Sequence, residues 1–228
     1  MAVVNREFDR KTAVVTGACG AVGAEVVAAL AARGAVVTAV DHDGRALCDL
    51  VERLQRAGLR VAGRQVDISS GPAVESLVDQ VEREVGPVDI AVNAADLLRT
   101  GRATGLTDDD WSRSFAINTH AVFHLSRAAA ARMVPRGGGA IITVATTVQT
   151  LQPGYAAYTA SKAAATAYAN HLAAEVTRHG VRCTVITTTR PETPLLRSVA
   201  DSDAHASAVA ASVLAALSHH ADGTAVGA

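Results

Sequence analysis

A short Val-rich run, Thr12–Thr16 (TAVVT), leads straight into the turn TGACGAVG, and the helical pattern AEVVAALAARG follows, closed by Gly34. A second apolar run, AVVTAV, then ends on Asp41. Strand, glycine turn, helix, strand and acid in that order form a βαβ unit of the dinucleotide-binding kind. This unit constrains the fold because parallel strands need a crossover, and a right-handed crossover lays its helix back on the sheet. Gly17, Gly20 and Gly23, with Val22 between them, let the backbone approach a pyrophosphate. The start of the helix offers unpaired N–H groups and the positive end of its dipole. Asp41 lies 18 residues past Gly23, where a carboxylate can accept from both ribose hydroxyls and would repel a 2′-phosphate. His42 follows it rather than an Arg. The expected cofactor is therefore NAD rather than NADP.

The alternation continues along the chain. Helical patterns cover 44–57, 73–85 and 108–133, the last closed by Pro135 and the glycines at 137–139. Strand patterns cover 60–66, Val88–Asn93, 140–145 and 181–187, with a polar loop at 96–105 and further loops at 146–154 and 188–194. A helix bearing Tyr158 runs to about residue 179 and stops at Gly180, and a last Ala-rich helix covers 204–217. The tail, 219–228, has room for a short seventh strand. These patterns predict an α/β fold, a doubly wound parallel sheet in a single domain over 1–228, with ligands at the carboxyl ends of the strands.

Composition excludes several other functions. Net charge is −1, and no basic stripe or aromatic platform suits a nucleic acid. No run approaches the roughly 18 apolar residues of a membrane span, and the start reads as no secretory signal. Cys19, Cys48 and Cys183 are odd in number and far apart, as expected of reduced thiols in a cytoplasmic chain. Nothing has metal-ligand spacing, so no metal is expected; His120/His124 read as a helix face and His219/His220 as a solvated tail. Ala and Arg richness fits a GC-rich bacterial genome.

The chemistry concentrates in Tyr158-Thr159-Ala160-Ser161-Lys162. Residues four apart share a helix face, so Tyr158 and Lys162 stack. A phenol near pKa 10 is a poor acid or base at neutral pH, and an adjacent ammonium favours the phenolate. The pair is a plausible proton donor and acceptor for an alcohol or a ketone. Of 21 basic residues only Lys11 and Lys162 are lysines, so Lys162 stands out in a chain that otherwise uses Arg.

The glycine turn at Gly17 and the YxxxK at Tyr158, in this order and at this distance, make the chain resemble the short-chain dehydrogenase/reductase family over nearly its whole length. The resemblance implies a Rossmann-type NAD(P) domain and hydride transfer between nicotinamide and a hydroxyl or carbonyl carbon of a small-molecule alcohol or ketone. It implies a tetrad in which Tyr158 is the general acid/base and Lys162 lowers its pKa and holds the nicotinamide ribose. Asn118, in FAINTHAVF, matches the Asn that anchors a water in the proton relay. Asp67-Ile68 matches the pair that touches adenine, Asn93 the strand residue beside the adenosine ribose, and Thr193 the residue that binds the carboxamide. The family's spacing puts its serine at Ala145, whereas counting from the strand (AIITVATT) reaches Thr146, whose hydroxyl can donate to a developing alkoxide. Thr146 is the expected stand-in, with Thr147 next.

The chain departs from the family at four places. The turn reads TGxxGxxG, with Ala21 where a glycine is usual. The NNAG motif reads Asn93-Ala94-Ala95-Asp96, which puts a charge near the cofactor. The usual Pro-Gly after the sixth strand is Thr188-Thr189, and the C-terminal end is reduced. Members are mostly dimers or tetramers joined through the Asn118 and Tyr158 helices, and the Ala-rich faces at 128–131 and 163–167 would permit such packing, so a homodimer or homotetramer is expected. The departures keep open a weakly active or non-catalytic cofactor-binding regulator or assembly partner. Epimerase or dehydratase chemistry is a third reading, suggested by TGxxGxxG.

Overall fold

The computed structural model describes residues 6–147, 153–189 and 199–218; at 146, 147, 189 and 199–202 it describes the backbone only. Six strands, β1 (Thr12–Thr16), β2 (Val36–Asp41), β3 (Val61–Gln65), β4 (Val88–Asn93), β5 (Gly139–Thr147) and β6 (Val181–Thr189), form one parallel sheet in the order β3-β2-β1-β4-β5-β6. The order reverses between β1 and β4, and in such sheets ligands bind outside the carboxyl ends of the strands at that point.

Alternating side chains send each strand's apolar residues to both faces. Ala13 and Val15 pack with Leu30, Leu47 and Leu214 on one face, and Val14 packs with Leu77, Leu125 and Met133 on the other. The first face is covered by α1 (Ala21–Ala32), α2 (Gly44–Arg56) and α7 (Val199–Ser218), and the second by α3 (Gly71–Glu84) and α5 (Ala121–Arg136). Burial on both sides explains why the strands read as near-continuous apolar runs.

The helix starts differ in a way that matters for function. Asp43 caps α2 by accepting from the N–H groups of Arg45 and Ala46, both at 3.0 Å. Ser70 caps α3, and Thr107 caps α4 (Asp108–Phe115), whose first turn holds three acids. In contrast, α1 starts on Gly20 with no side-chain cap and no acid in its first turn. Its first N–H groups stay available to a ligand.

Two strands run further than the sequence suggests. β5 continues through Thr146-Thr147 and β6 through Thr188-Thr189, and these residues pair Thr146 with Thr188 and Thr147 with Thr189. The expected loops at 146 and 188 therefore begin later. Without the Pro-Gly, four β-branched residues extend the ladder. The long helix is also not uniform: α4 passes into a π-helical segment, Ala116–His120, before α5. Pro135 lies inside the last turn of α5, and the chain leaves at Gly137 with φ +70°. Ala128, Ala129 and Ala130 are buried in the chain's own core, while Ala131, Ala163 and Ala167 are exposed. The expected seventh strand lies outside the described residues.

Candidate active site

A cavity of about 1000 Å³ opens at the carboxyl ends of the strands. Gly17, Gly20, Val22 and Gly23 line it from the turn after β1, and Asp41 from the end of β2. Asp67 and Ile68 line it after β3, Asp96 after β4, and Lys162 from α6 (Ala156–Val176). Eight of the cofactor residues expected from sequence thus line one space; Asn93 and Tyr158 are not in its wall, and Thr193 lies outside the described residues.

The turn is shaped by what a side chain would hit. Gly17 has φ +67°, and a Cβ there would lie 2.4 Å from Ala95 Cα, so β1 and the segment after β4 approach each other only because Gly17 has none. A Cβ on Gly23 would lie 2.0 Å from the Gly17 carbonyl oxygen. Gly20 N–H donates to that same carbonyl at 3.1 Å and closes the turn. Ala21 starts α1 without disturbing this geometry.

Asp41 is buried and ties the turn to β2. Its Oδ2 accepts from Cys19 N–H at 2.9 Å, and its Oδ1 from His42 N–H at 2.8 Å and Asp43 N–H at 3.2 Å. Burial alone would raise its pKa, but the N–H groups of Cys19, Asp43 and His42 outweigh burial and hold the carboxyl below its usual range. A full negative charge therefore faces the cavity at neutral pH. That charge and burial, burial first, push the Cys19 thiol up to about 12, so it is no nucleophile. The Ser69 hydroxyl and N–H hold the Asp67 carboxyl below its usual range.

Tyr158 and Lys162 sit one turn apart on α6 and are both buried. Their polar ends meet at one carboxylate. Tyr158 Oη donates to Asp96 Oδ2 at 3.3 Å, and Lys162 Nζ lies 3.1 Å from Asp96 Oδ1. Lys162 Nζ also donates to the Val144 carbonyl at 3.4 Å, which anchors the ammonium to β5.

Asn118, in the π-helical segment, is fully buried. Its Oδ1 accepts from Leu97 N–H at 2.8 Å, and its Nδ2 donates to the Leu97 carbonyl at 2.9 Å and to Ser161 Oγ at 3.0 Å. Ser161 Oγ in turn donates to the Tyr158 carbonyl at 2.8 Å. One amide thus straps the segment after β4 to the helix that carries Tyr158. Wide helical turns of this kind recur at functional sites, where they re-aim a side chain.

Other expected residues fall elsewhere. Asn93 is not part of the cavity wall: its Nδ2 donates to Ser126 Oγ at 2.9 Å and Thr143 Oγ1 at 3.4 Å, across β4, β5 and α5. Its side chain thus ties β4 to β5 and α5 inside the sheet. Thr146 is placed on β5 by its backbone, next to the buried Ala145, and its side chain lies outside the description. Thr193 lies outside the described residues. Ser161, which no sequence argument singled out, ties Asn118 to Tyr158; its position three residues after the Tyr was the available signal. His120 and His124 face each other with ring centres 6.5 Å apart, and no metal-binding cluster occurs among the described residues. Among those residues no helix is long and apolar enough to cross a membrane.

Known proteins resemble this chain in sequence and in fold. A family model described as short chain dehydrogenase matches residues 11–204. The chain is 33% identical over 189 residues to 2,3-dihydro-2,3-dihydroxybenzoate dehydrogenase of Bacillus subtilis (strain 168), which covers 82% of this chain and 72% of that protein. Its fold matches that of NAD+-bound xylitol dehydrogenase with a TM-score of 0.77 at 27% identity, over 80% of this chain and 71% of that one. It also matches a metagenomic short-chain oxidoreductase in complex with NADP, with a TM-score of 0.80 at 27% identity, over 95% of this chain and 94% of the other. With a sheet of this order, a glycine turn after its first strand and a Tyr/Lys pair on the helix after its fifth, the chain belongs to the short-chain dehydrogenase/reductase family of oxidoreductases.

Proposed function

We propose that the chain is an NAD-dependent oxidoreductase that interconverts a secondary alcohol and a ketone. The observation that carries this reading is the meeting of the Tyr158 phenol and the Lys162 ammonium beside a cavity walled by the glycine turn. The residues present fit a nicotinamide dinucleotide. The turn leaves a cradle that a Cβ at Gly17 or Gly23 would fill, and α1 begins with unclaimed N–H groups. Gly20, Val22 and Gly23 would hold the pyrophosphate, Asp41 the adenosine ribose, Asp67 and Ile68 the adenine, and Lys162 the nicotinamide ribose. The ionised Asp41 would repel a 2′-phosphate, which favours NAD. Relatives of known structure hold either NAD+ or NADP, so the preference rests on this carboxylate.

The bound nicotinamide supplies the hydride acceptor or donor. In reduction Tyr158 gives its phenolic proton to the substrate oxygen; in oxidation it takes the hydroxyl proton. The nearby charge of Lys162 stabilises the phenolate that forms. Asn118 fixes the helix and the neighbouring segment so that these groups keep their places. Thr146 on β5 is the proposed donor to the developing alkoxide, and Thr193 the proposed carboxamide contact. The three free cysteines fit a reducing, cytoplasmic setting. A homodimer or homotetramer through α4, α5 and α6 goes with this reading; Trp111, 45% exposed and stacked 4.8 Å from Phe115, is the apolar group on α4 that such contact would cover.

A second reading has its own support. Ala145 is buried at the place where the family's spacing puts its serine, and Asp96 occupies the polar ends of the pair. Both favour a weakly active or non-catalytic cofactor-binding protein. Purified chain, supplied with NAD+ or NADH and a panel of secondary alcohols and ketones, separates the two. Turnover followed by nicotinamide absorbance is the outcome expected of the oxidoreductase. Tight cofactor binding with no turnover across the panel would leave the regulator.

A further inference from the structure

We propose that Asp96 is a positioning residue that holds Tyr158 and Lys162 in the free protein and competes with a ribose diol for the Lys162 ammonium. The proposal rests on the reading of Lys162 as the nicotinamide-ribose contact. Lys162 has three N–H donors and a side chain only 6% exposed, so the directions open to it are few. One donor reaches the Val144 carbonyl, and the Asp96 carboxylate at 3.1 Å takes another. A diol drawn to that ammonium meets a carboxylate already there. An ionised carboxylate only accepts, so Tyr158 must donate its O–H to Asp96. The phenol is thereby turned towards Asp96 instead of a substrate oxygen.

The surroundings say which part moves. Leu97 is pinned through both its N–H and its carbonyl by Asn118, at 2.8 and 2.9 Å, and Ala94 N–H donates to the Thr16 carbonyl at 3.3 Å. The main chain on either side of Asp96 is fixed. The Asp96 side chain, in contrast, is 28% exposed and lines the cavity. Release of Lys162 is therefore a rotation of the Asp96 side chain into the cavity, with the loop in place.

NADH titration of the full chain, wild type against Asp96→Gly and Asp96→Asn, tests this, with melting temperature as the check on folding. Both variants should bind NADH roughly two- to fivefold more tightly, the range expected for removing a partly exposed ion pair. In a Lys162→Ala background the Asp96→Asn gain should disappear, because nothing remains to compete for. A gain that persists there means that Asp96 only repels the dinucleotide as a charge, and overturns the proposal. Unchanged or weaker binding in both single variants also overturns it, the weaker result marking Asp96 as a ribose ligand. If wild type and variants all fail to bind, both this proposal and the cofactor reading fall. If wild type binds and the variants gain nothing, only the role of Asp96 falls.

Discussion

At the scale of the residue, the proposed preference for NAD rests on the turn and Asp41. Asp41 combines burial with three backbone N–H partners, so its charge is fixed in place and paid for by the turn it organises. Asp41→Asn removes the repulsion towards a 2′-phosphate, and the ratio of NADH to NADPH affinity should fall about tenfold, the order expected for losing one close charge interaction. Titration of both cofactors checks this; an unchanged ratio would mean that another group discriminates. The same substitution predicts a pH effect. The folded carboxyl titrates below its ordinary value of 3.8, so its stabilising contribution is present in full above 3.8 and is lost as pH falls through the folded value. At neutral pH the variant should be about 1.5–3 kcal/mol less stable than wild type, the scale of hydrogen bonds to a charged group. Urea unfolding should show that gap closing at strongly acid pH.

At the scale of the element, the site depends on the strap from the π-helical segment to the stretch after β4 and to α6. Asn118→Ala removes an amide that serves both Leu97 backbone groups and Ser161, leaving buried polar groups unpaired. The expected loss is about 1–3 kcal/mol of stability, with a fall in kcat larger than any change in cofactor affinity. Unfolding and steady-state kinetics measure the two. This strap was only partly legible in the sequence. Helix periodicity places Asn118 on a long helix, but periodicity carries no signal for a π-helical turn, which inserts one residue and re-aims the face. The ends of β5 and β6 were hidden for a related reason. Thr146, Thr147, Thr188 and Thr189 are polar enough to read as loop, while their β-branching lets them pair once the strands lie side by side. The glycine turn was fully legible, because Gly17 and Gly23 stand where any Cβ collides with backbone. Asn93 ends β4 as expected, but the strand pattern carries no signal for the bonds its side chain makes to Ser126 and Thr143 among buried neighbours.

At the scale of the whole molecule, a parallel sheet buried on both faces leaves its ligand site at the carboxyl ends of its strands, where turns from β1, β2, β3 and β4 meet α6. The fold class follows from the alternation of apolar runs and amphipathic helices, and the site follows from where the strand order reverses. The fold alone does not supply the chemistry, and the proposed chemistry rests on the side chains of Tyr158 and Lys162. The most direct measurement compares hydride transfer by wild type and Tyr158→Phe, with NADH binding followed in the same preparations. The phenyl ring keeps the packing of a fully buried residue and loses only the hydroxyl. Cofactor affinity should stay within a few-fold while turnover falls by about 10²–10⁴, the range for a lost general acid/base. Equal turnover in the two proteins would contradict the assignment of Tyr158 and, with it, the proposed mechanism.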